Sequence, residues 1–178
     1  MANCTFTTSG RLSEAAPSFT HTPLTQCFIA VMRDLSAYIE AEQDLEHCDS
    51  FDPACDAWIS DAERARTCVL DRLALLHVAP VRRREDIPLR HFGKVTRLLI
   101  ESETPEAFGQ ALALPSQFAS FFKCHGDSAT ARRVNLMIAG FQAQLRNLET
   151  LADFAAPVAA EYCGIDADEA DALMAPAA

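Results

Sequence analysis

The feature that most constrains this chain is a recurring pair, a helix-capping residue followed by proline, that opens segments with helically spaced apolar residues. The pairs are Thr22-Pro23, Asp52-Pro53 and Thr104-Pro105. In each pair the first side chain caps the helix N-terminus, and proline suits the first helical position. Apolar residues then recur three or four positions apart, as on one face of an α-helix. No stretch of useful length alternates as a strand does, so the sequence predicts an all-α protein.

The spacing predicts five main helices and a short sixth one near the C-terminus. The predicted spans are 23–47, 53–79, 88–99, 105–126 with an interruption at Pro115, 127–151, and 154–163. Trp58 belongs to the apolar face of the second helix, and Cys27 and Cys68 fall within apolar faces as small core residues. Because short loops favour antiparallel neighbours, we expect an up-down helical bundle.

Composition and charge indicate the domain organisation and the cellular compartment. Residues 1–21 predict a loose arm, 22–164 a single bundle domain, and 165–178 an acidic flexible tail. The formal charge of −10 argues against nucleic-acid binding, and no apolar run approaches the roughly 18 residues of a membrane span. The 7 cysteines are scattered, and no secretory signal precedes them, which predicts a cytoplasmic protein. Basic residues are mostly Arg and Ala is abundant, as in GC-rich bacterial genomes.

An up-down bundle would gather basic residues at one end, where the start of helix one meets the turns at 80–88 and 123–128. The predicted anion-binding set is Arg82, Arg83, Arg84, Arg90, Lys123, Arg132 and Arg133. Cations after the end of a helix are ordinary dipole complementarity, which accounts for residues 82–84. Arg90, Arg132 and Arg133 lie near helix N-termini instead, where that explanation fails. This basic end therefore predicts either an anion site or a solvated charge pattern.

A second pattern on helix three involves His91 and Lys94, which are three residues apart at the edge of its polar face. A His-x-x-Lys pair on a bundle helix resembles the core of a histidine-phosphotransfer domain. The resemblance implies that His91 would carry a phosphoryl group close to Lys94. The glycine that follows the lysine in that family is Val95 here, and Gly93 precedes the lysine instead.

Two further kinds of site were weighed. Four phenylalanines around the Pro115 interruption predict an apolar ligand pocket, and they are Phe108, Phe118, Phe121 and Phe122. The His and Cys residues match no common zinc spacing, and we find neither a nucleophile elbow nor a glycine-rich phosphate loop. We therefore expect no metal and no cofactor.

The sequence favours a non-catalytic regulatory or scaffolding protein that binds a protein partner, or a second copy of itself as a homodimer. Two alternatives stay open at this point. One is an anion- or phosphoryl-handling bundle that uses the basic end, and the other is a carrier of a small apolar ligand.

Overall fold

The structure, a computed structural model, describes residues 20–46, 48, 53–151 and 154, and within them it is all-helical with no strand. The α-helices are α1 (Pro23–Glu46), α2 (Cys55–Val78), α3 (Asp86–Ile100), α4 (Pro105–Gln117) and α5 (Ala129–Glu149), with a 3₁₀ turn at Ala119–Phe121. This confirms the predicted all-α fold and helical bundle. The predicted sixth helix, the arm before residue 20 and the acidic tail lie outside the described residues.

Side-chain caps form at three of the helix starts, and two of them are predicted pairs. The Thr22 hydroxyl accepts from the Thr25 amide at 3.1 Å and Thr104 accepts from the Ala107 amide, while at α5 Ser128 accepts from the Ala131 amide at 3.0 Å. Each bond satisfies an amide that has no acceptor within its own helix. The predicted starts of α1 and α4 are therefore confirmed.

One hydrophobic core joins all five helices. Its fully buried members include Phe28, Val69, Phe92, Phe108 and Phe141. The rings of Phe28 and Phe141 meet edge to face with centroids 4.8 Å apart, and the ring of Phe92 approaches that of Phe141 at 6.1 Å. These aromatic contacts tie α1, α3 and α5 together.

Polar contacts show how neighbouring helices run. Arg72 on α2 pairs with Asp34 near the middle of α1 at 3.1 Å. Arg66 on α2 donates to the carbonyl of Ile100 at the end of α3, and Arg90 at the start of α3 donates to the carbonyl of Ala79 at the end of α2. These contacts are those expected of antiparallel α2 and α3. The up-down order of the whole bundle stays a prediction.

Four local predictions were wrong. Helix α4 runs through Pro115 to Gln117, because the hydrogen bond that proline removes lies in the last turn. The expected helical piece after Ser116 is only a 3₁₀ turn. Helix α2 begins at Cys55, since Pro53 and Ala54 form a turn. Trp58 and Cys68 are exposed, because the apolar face of α2 that packs on the core is narrower than its apolar pattern.

Candidate functional site

Three distant segments meet at the end of the bundle where α3 begins. The start of α1 reaches α3 through Thr22, whose hydroxyl donates to Asp86 Oδ1 at 2.8 Å. The loop after α4 reaches the same place through Cys124, whose thiol donates to the carbonyl of Glu85 at 3.6 Å. These contacts bring the start of α1, the turn before α3 and the loop before α5 together.

Asp86 is the centre of this junction and is fully buried. Its Oδ2 accepts from the backbone amides of Arg82 and Arg83 at 3.0 and 3.3 Å. Its Oδ1 accepts from the hydroxyls of Thr22 and Thr25 and lies 3.7 Å from Arg83 Nε. A buried carboxylate needs this many donors to offset its lost hydration. Asp86 is not among the residues predicted from the sequence, where its only signal is a carboxylate in the first turn of a helix.

A cleft opens between the start of α3 and the loop after the 3₁₀ turn. We call it the α3–loop cleft, and its volume is about 250 Å³. Its lining residues are Arg84, Glu85, Ile87, Pro88, His91, Ser120, Phe121, Lys123, Cys124 and His125. It thus collects two of the seven predicted anion-binding residues, Arg84 and Lys123, and places both beside His91.

Two histidines of the α3–loop cleft are held by backbone carbonyls of the same turn. His91 Nδ1 lies 3.0 Å from the carbonyl oxygen of Phe121, and His125 Nε2 lies 3.1 Å from that of Ser120. Because a carbonyl only accepts, each of these nitrogens carries the proton. His91 Nε2 and His125 Nδ1 make no hydrogen bond within the described part of the chain, so each ring keeps one nitrogen for another partner.

The thiol of Cys124 is a structural part of the same wall. Its backbone amide donates to Asn135 Oδ1 at 2.9 Å, and Asn135 Nδ2 donates back to its carbonyl at 3.0 Å. Burial raises the pKa of the Cys124 thiol from 9.0 to about 11, and the carboxylates of Glu85 and Asp86 act in the same direction. The thiol therefore stays protonated at neutral pH and is a poor nucleophile.

A second concave surface lies on the other side of α3, against α2. We call it the α2–α3 groove, and its volume is about 410 Å³. The residues that line it are Leu73, Leu76, His77, Arg90, Gly93, Lys94, Arg97, Leu98 and Glu101. A Cβ atom at Gly93 would lie 2.5 Å from Leu76 Cδ2, so glycine is what lets the two helices approach here.

The cations of the α2–α3 groove differ in how they are partnered. Arg97 pairs with Glu101 at 2.9 Å. Arg90 donates to the Ala79 carbonyl, but its Nε is buried and has no hydrogen-bond partner in the described residues. Neither Arg90 nor Lys94 makes an ion pair with any described residue. Arg90, predicted for the basic end, therefore belongs to this groove instead.

The remaining predicted anion-binding residues lie outside both surfaces. Arg83 serves the Asp86 junction and donates to the carbonyl of Thr20. Arg82 is exposed, and so are Arg132 and Arg133 at the start of α5. The seven predicted cations are thus divided between two cavities, one buried junction and open surface.

The four phenylalanines of the predicted apolar pocket are also dispersed. Phe108 is buried and stacks on Phe154 at 4.8 Å, whereas Phe122 packs edge-on against Phe92 at 4.9 Å. Phe118 and Phe121 are 51% and 60% exposed. The apolar pocket around Pro115 therefore stays a prediction.

The His-x-x-Lys pair that resembles the core of a histidine-phosphotransfer domain is divided between two cavities. His91 lines the α3–loop cleft and packs against the rings of Phe121 and Phe122 at 6.2 and 5.9 Å, while Lys94 lines the α2–α3 groove. Among the described residues, no group of three or more His, Cys, Asp or Glu side chains could hold a metal ion. His47 falls outside those residues.

Comparison with known proteins identified no relative of this chain. No protein-family model, no curated protein and no solved structure matches this chain. Within the described part of the chain, no helix is long and apolar enough to cross a membrane.

Proposed function

We propose that this protein is a non-catalytic binding module whose α2–α3 groove docks an amphipathic, acidic helix of a protein partner. The observation that carries the proposal is an apolar floor beside two cations, Arg90 and Lys94, that have no carboxylate partner among the described residues. Helix-in-groove recognition uses this combination, with apolar anchors for affinity and rim charges for partner choice.

The length of the groove suits a helix. Its lining on α3 extends from Arg90 to Glu101, about three helical turns. A partner helix of that length presents apolar residues at positions i, i+3 or i+4, and i+7. Leu98 is 52% exposed in the groove and offers an anchor for them, above the buried side chains of Leu73 and Leu76.

The cations of the groove favour acidic residues on the polar face of the partner helix. Lys94 is exposed, and Arg90 keeps a partly buried guanidinium whose Nε has no acceptor in the described residues. An incoming carboxylate would offset the cost of that charge. The net charge of −10 on the whole chain makes these unpaired cations a local exception, which favours an acidic partner at this surface.

The test uses a labelled helical peptide of about 20 residues, with Leu on one face and Glu elsewhere, and a counterpart in which Lys replaces Glu. We expect fluorescence anisotropy to show binding of the acidic peptide only. Lys94→Glu should weaken its binding about tenfold, because it replaces an attraction with a repulsion. Arg133→Glu is the matched control, since it makes the same charge change on α5 outside the groove.

Three results would overturn the proposal. One is equal binding of the two peptides, and another is an equal loss of binding in Lys94→Glu and Arg133→Glu. The third is binding that emerges only when Asp166, Asp168 and Asp171 are replaced by Asn, which would make the chain's own acidic segment the occupant. Sedimentation of Lys94→Glu and the unmodified protein tests a second copy as occupant, since only a self-associating groove would change mass with this substitution.

A further inference from the structure

We infer that the α3–loop cleft, separate from the groove, binds a small oxyanion of the phosphate class, either inorganic phosphate or a small phosphate monoester. The cleft brings together two flexible cations and two imidazoles from parts of the chain far apart in sequence. Arg84 lies just before α3 and His91 within it, whereas Lys123 and His125 lie in the loop before α5. This convergence sets it apart from an ordinary cationic surface.

The charges that face the cleft favour an anion. Arg84 and Lys123 are exposed and make no ion pair with any described residue. Glu85 is the one acidic side chain among the lining residues. The Cys124 thiol adds no charge at neutral pH. The buried Asp86 carboxylate also raises the pKa of that thiol, but the donors of its own junction and the Arg83 guanidinium compensate its charge. Two cations and one carboxylate therefore line the cleft itself.

The size of the cleft restricts the ligand. Its volume of about 250 Å³ is below the range of about 300–1,000 Å³ that drug-sized organic ligands occupy. A tetrahedral oxyanion, bare or with a short organic group, fits such a space. The exposed ring of Phe121 and the side chain of Ile87 border the cleft and would contact the organic group of a monoester.

The imidazoles make binding sensitive to protons. In their neutral forms, His91 and His125 have each committed their only N–H to a carbonyl oxygen, so the second nitrogen is an acceptor and opposes an anion. A bound oxyanion favours the protonated ring, in which that nitrogen becomes a donor. Arg84, Lys123, Glu85 and Cys124 are the other titratable groups that line the cleft, and none of them gains a new donor in this way. Binding should therefore favour the protonated form of these two rings.

The first measurement is thermal melting with inorganic phosphate, phosphoserine, sulfate or acetate at constant ionic strength. At a concentration about 100 times Kd, we expect phosphate or phosphoserine to raise Tm by about 5–10 °C. A larger shift with phosphoserine than with phosphate would identify a monoester as the preferred source, and the reverse would identify the free ion. Equal shifts with all four anions would overturn the proposal.

Two pairs of variants test the location. Arg84→Ala with Lys123→Ala should abolish the shift, whereas Arg132→Ala with Arg133→Ala, the matched control outside the cleft, should leave it unchanged. Calorimetry of phosphate binding in two buffers of different ionisation enthalpy should show more protons taken up by the unmodified protein than by His91→Gln with His125→Gln, since the protons of the phosphate itself contribute equally to both. A loss in both pairs of cation variants, or equal proton uptake with and without the two histidines, would contradict the assignment.

This inference does not depend on the helix-docking groove. Lys94 lines the groove and not the cleft. Lys94→Glu should therefore leave the Tm shift caused by phosphate intact. Conversely, Arg84→Ala with Lys123→Ala should leave binding of the acidic peptide unchanged.

Discussion

Asp86 shows how one side chain organises the start of α3. Two hydroxyls, two backbone amides and the Arg83 guanidinium surround its fully buried carboxylate. Removing the carboxylate would leave the two hydroxyls and the two backbone amides without this acceptor and would remove the charge that faces Arg83. Asp86→Ala should therefore lower the free energy of unfolding by about 3–5 kcal/mol.

Urea denaturation measures this loss, and Asp61→Ala is the matched control. Asp61 forms an exposed pair with Arg64 at 2.6 Å, and such pairs contribute about 0–1 kcal/mol. Equal stability of the two variants would contradict the role assigned to Asp86.

Among the described residues, Cys124 is the one whose protonation differs most clearly between the folded and unfolded chain. Because its pKa is raised from 9.0 to about 11, the folded state holds the proton more tightly. The contribution of this thiol to the free energy of unfolding is fully present below pH 9 and falls as the pH rises towards 11. Comparing the unfolding free energy of the unmodified protein with that of Cys124→Ala across this interval isolates the effect, which should be absent in the variant.

Alkylation gives a second measure of the same property. At pH 8, iodoacetamide should modify the exposed Cys68 faster than Cys124, because the thiolate is the reacting species. Peptide mass spectrometry reports both rates, and in urea they should converge. Equal rates in the folded protein would show that Cys124 is accessible and ionised.

At the scale of helices, Gly93 decides how closely α2 and α3 pack. A methyl group at this position would collide with Leu76, which is fully buried and has little room to move. Gly93→Ala should therefore destabilise the protein by about 1–3 kcal/mol, despite the better helix propensity of alanine. In α4, Gly109 has nothing within 4 Å of an added Cβ, so Gly109→Ala should stabilise by up to about 1 kcal/mol. Thermal and urea unfolding of both variants test this contrast, and a stabilising Gly93→Ala would refute it.

The helices were predictable because their signals are local. Capping residues with adjacent proline locate the starts of α1 and α4, and apolar spacing identifies the buried faces of α3 and α5. Pro115 was misread because its effect depends on how near the helix end lies, which the surrounding sequence does not show. Trp58 and Cys68 were misread because an apolar pattern does not reveal which positions a neighbouring helix covers.

The candidate sites were harder to predict, because they depend on three-dimensional positions. The basic end correctly anticipated that the start of α1 and the turns before α3 and α5 lie together. The prediction did not separate Arg90 from Lys123, which line different cavities. It placed all the cations of helix three on one polar face. Gly93 was the available signal for the α2–α3 groove, because glycine inside a helix often marks close packing.

At the scale of the whole molecule, an acidic protein carries two cationic concavities separated by one helix. Arg84 and Lys123 lie in the α3–loop cleft, and Arg90 and Lys94 lie in the α2–α3 groove. The net charge of −10 repels anions at long range, but salt screens that repulsion beyond about 8–10 Å. Recognition at either surface is therefore a short-range property of the residues that line it. The predicted homodimer and cytoplasmic location stay predictions.

The Asp86 junction also gives the bundle an internal reporter of its own opening. Thr22 and Asp86 are 64 residues apart in the chain, so their contact closes a loop that contains the whole of α1 and α2. The amide protons of Arg82 and Arg83 are held by the same carboxylate. They exchange with solvent when these two hydrogen bonds open. Their exchange rate thus measures how often the turn before α3 opens, beside the residues that line the α3–loop cleft.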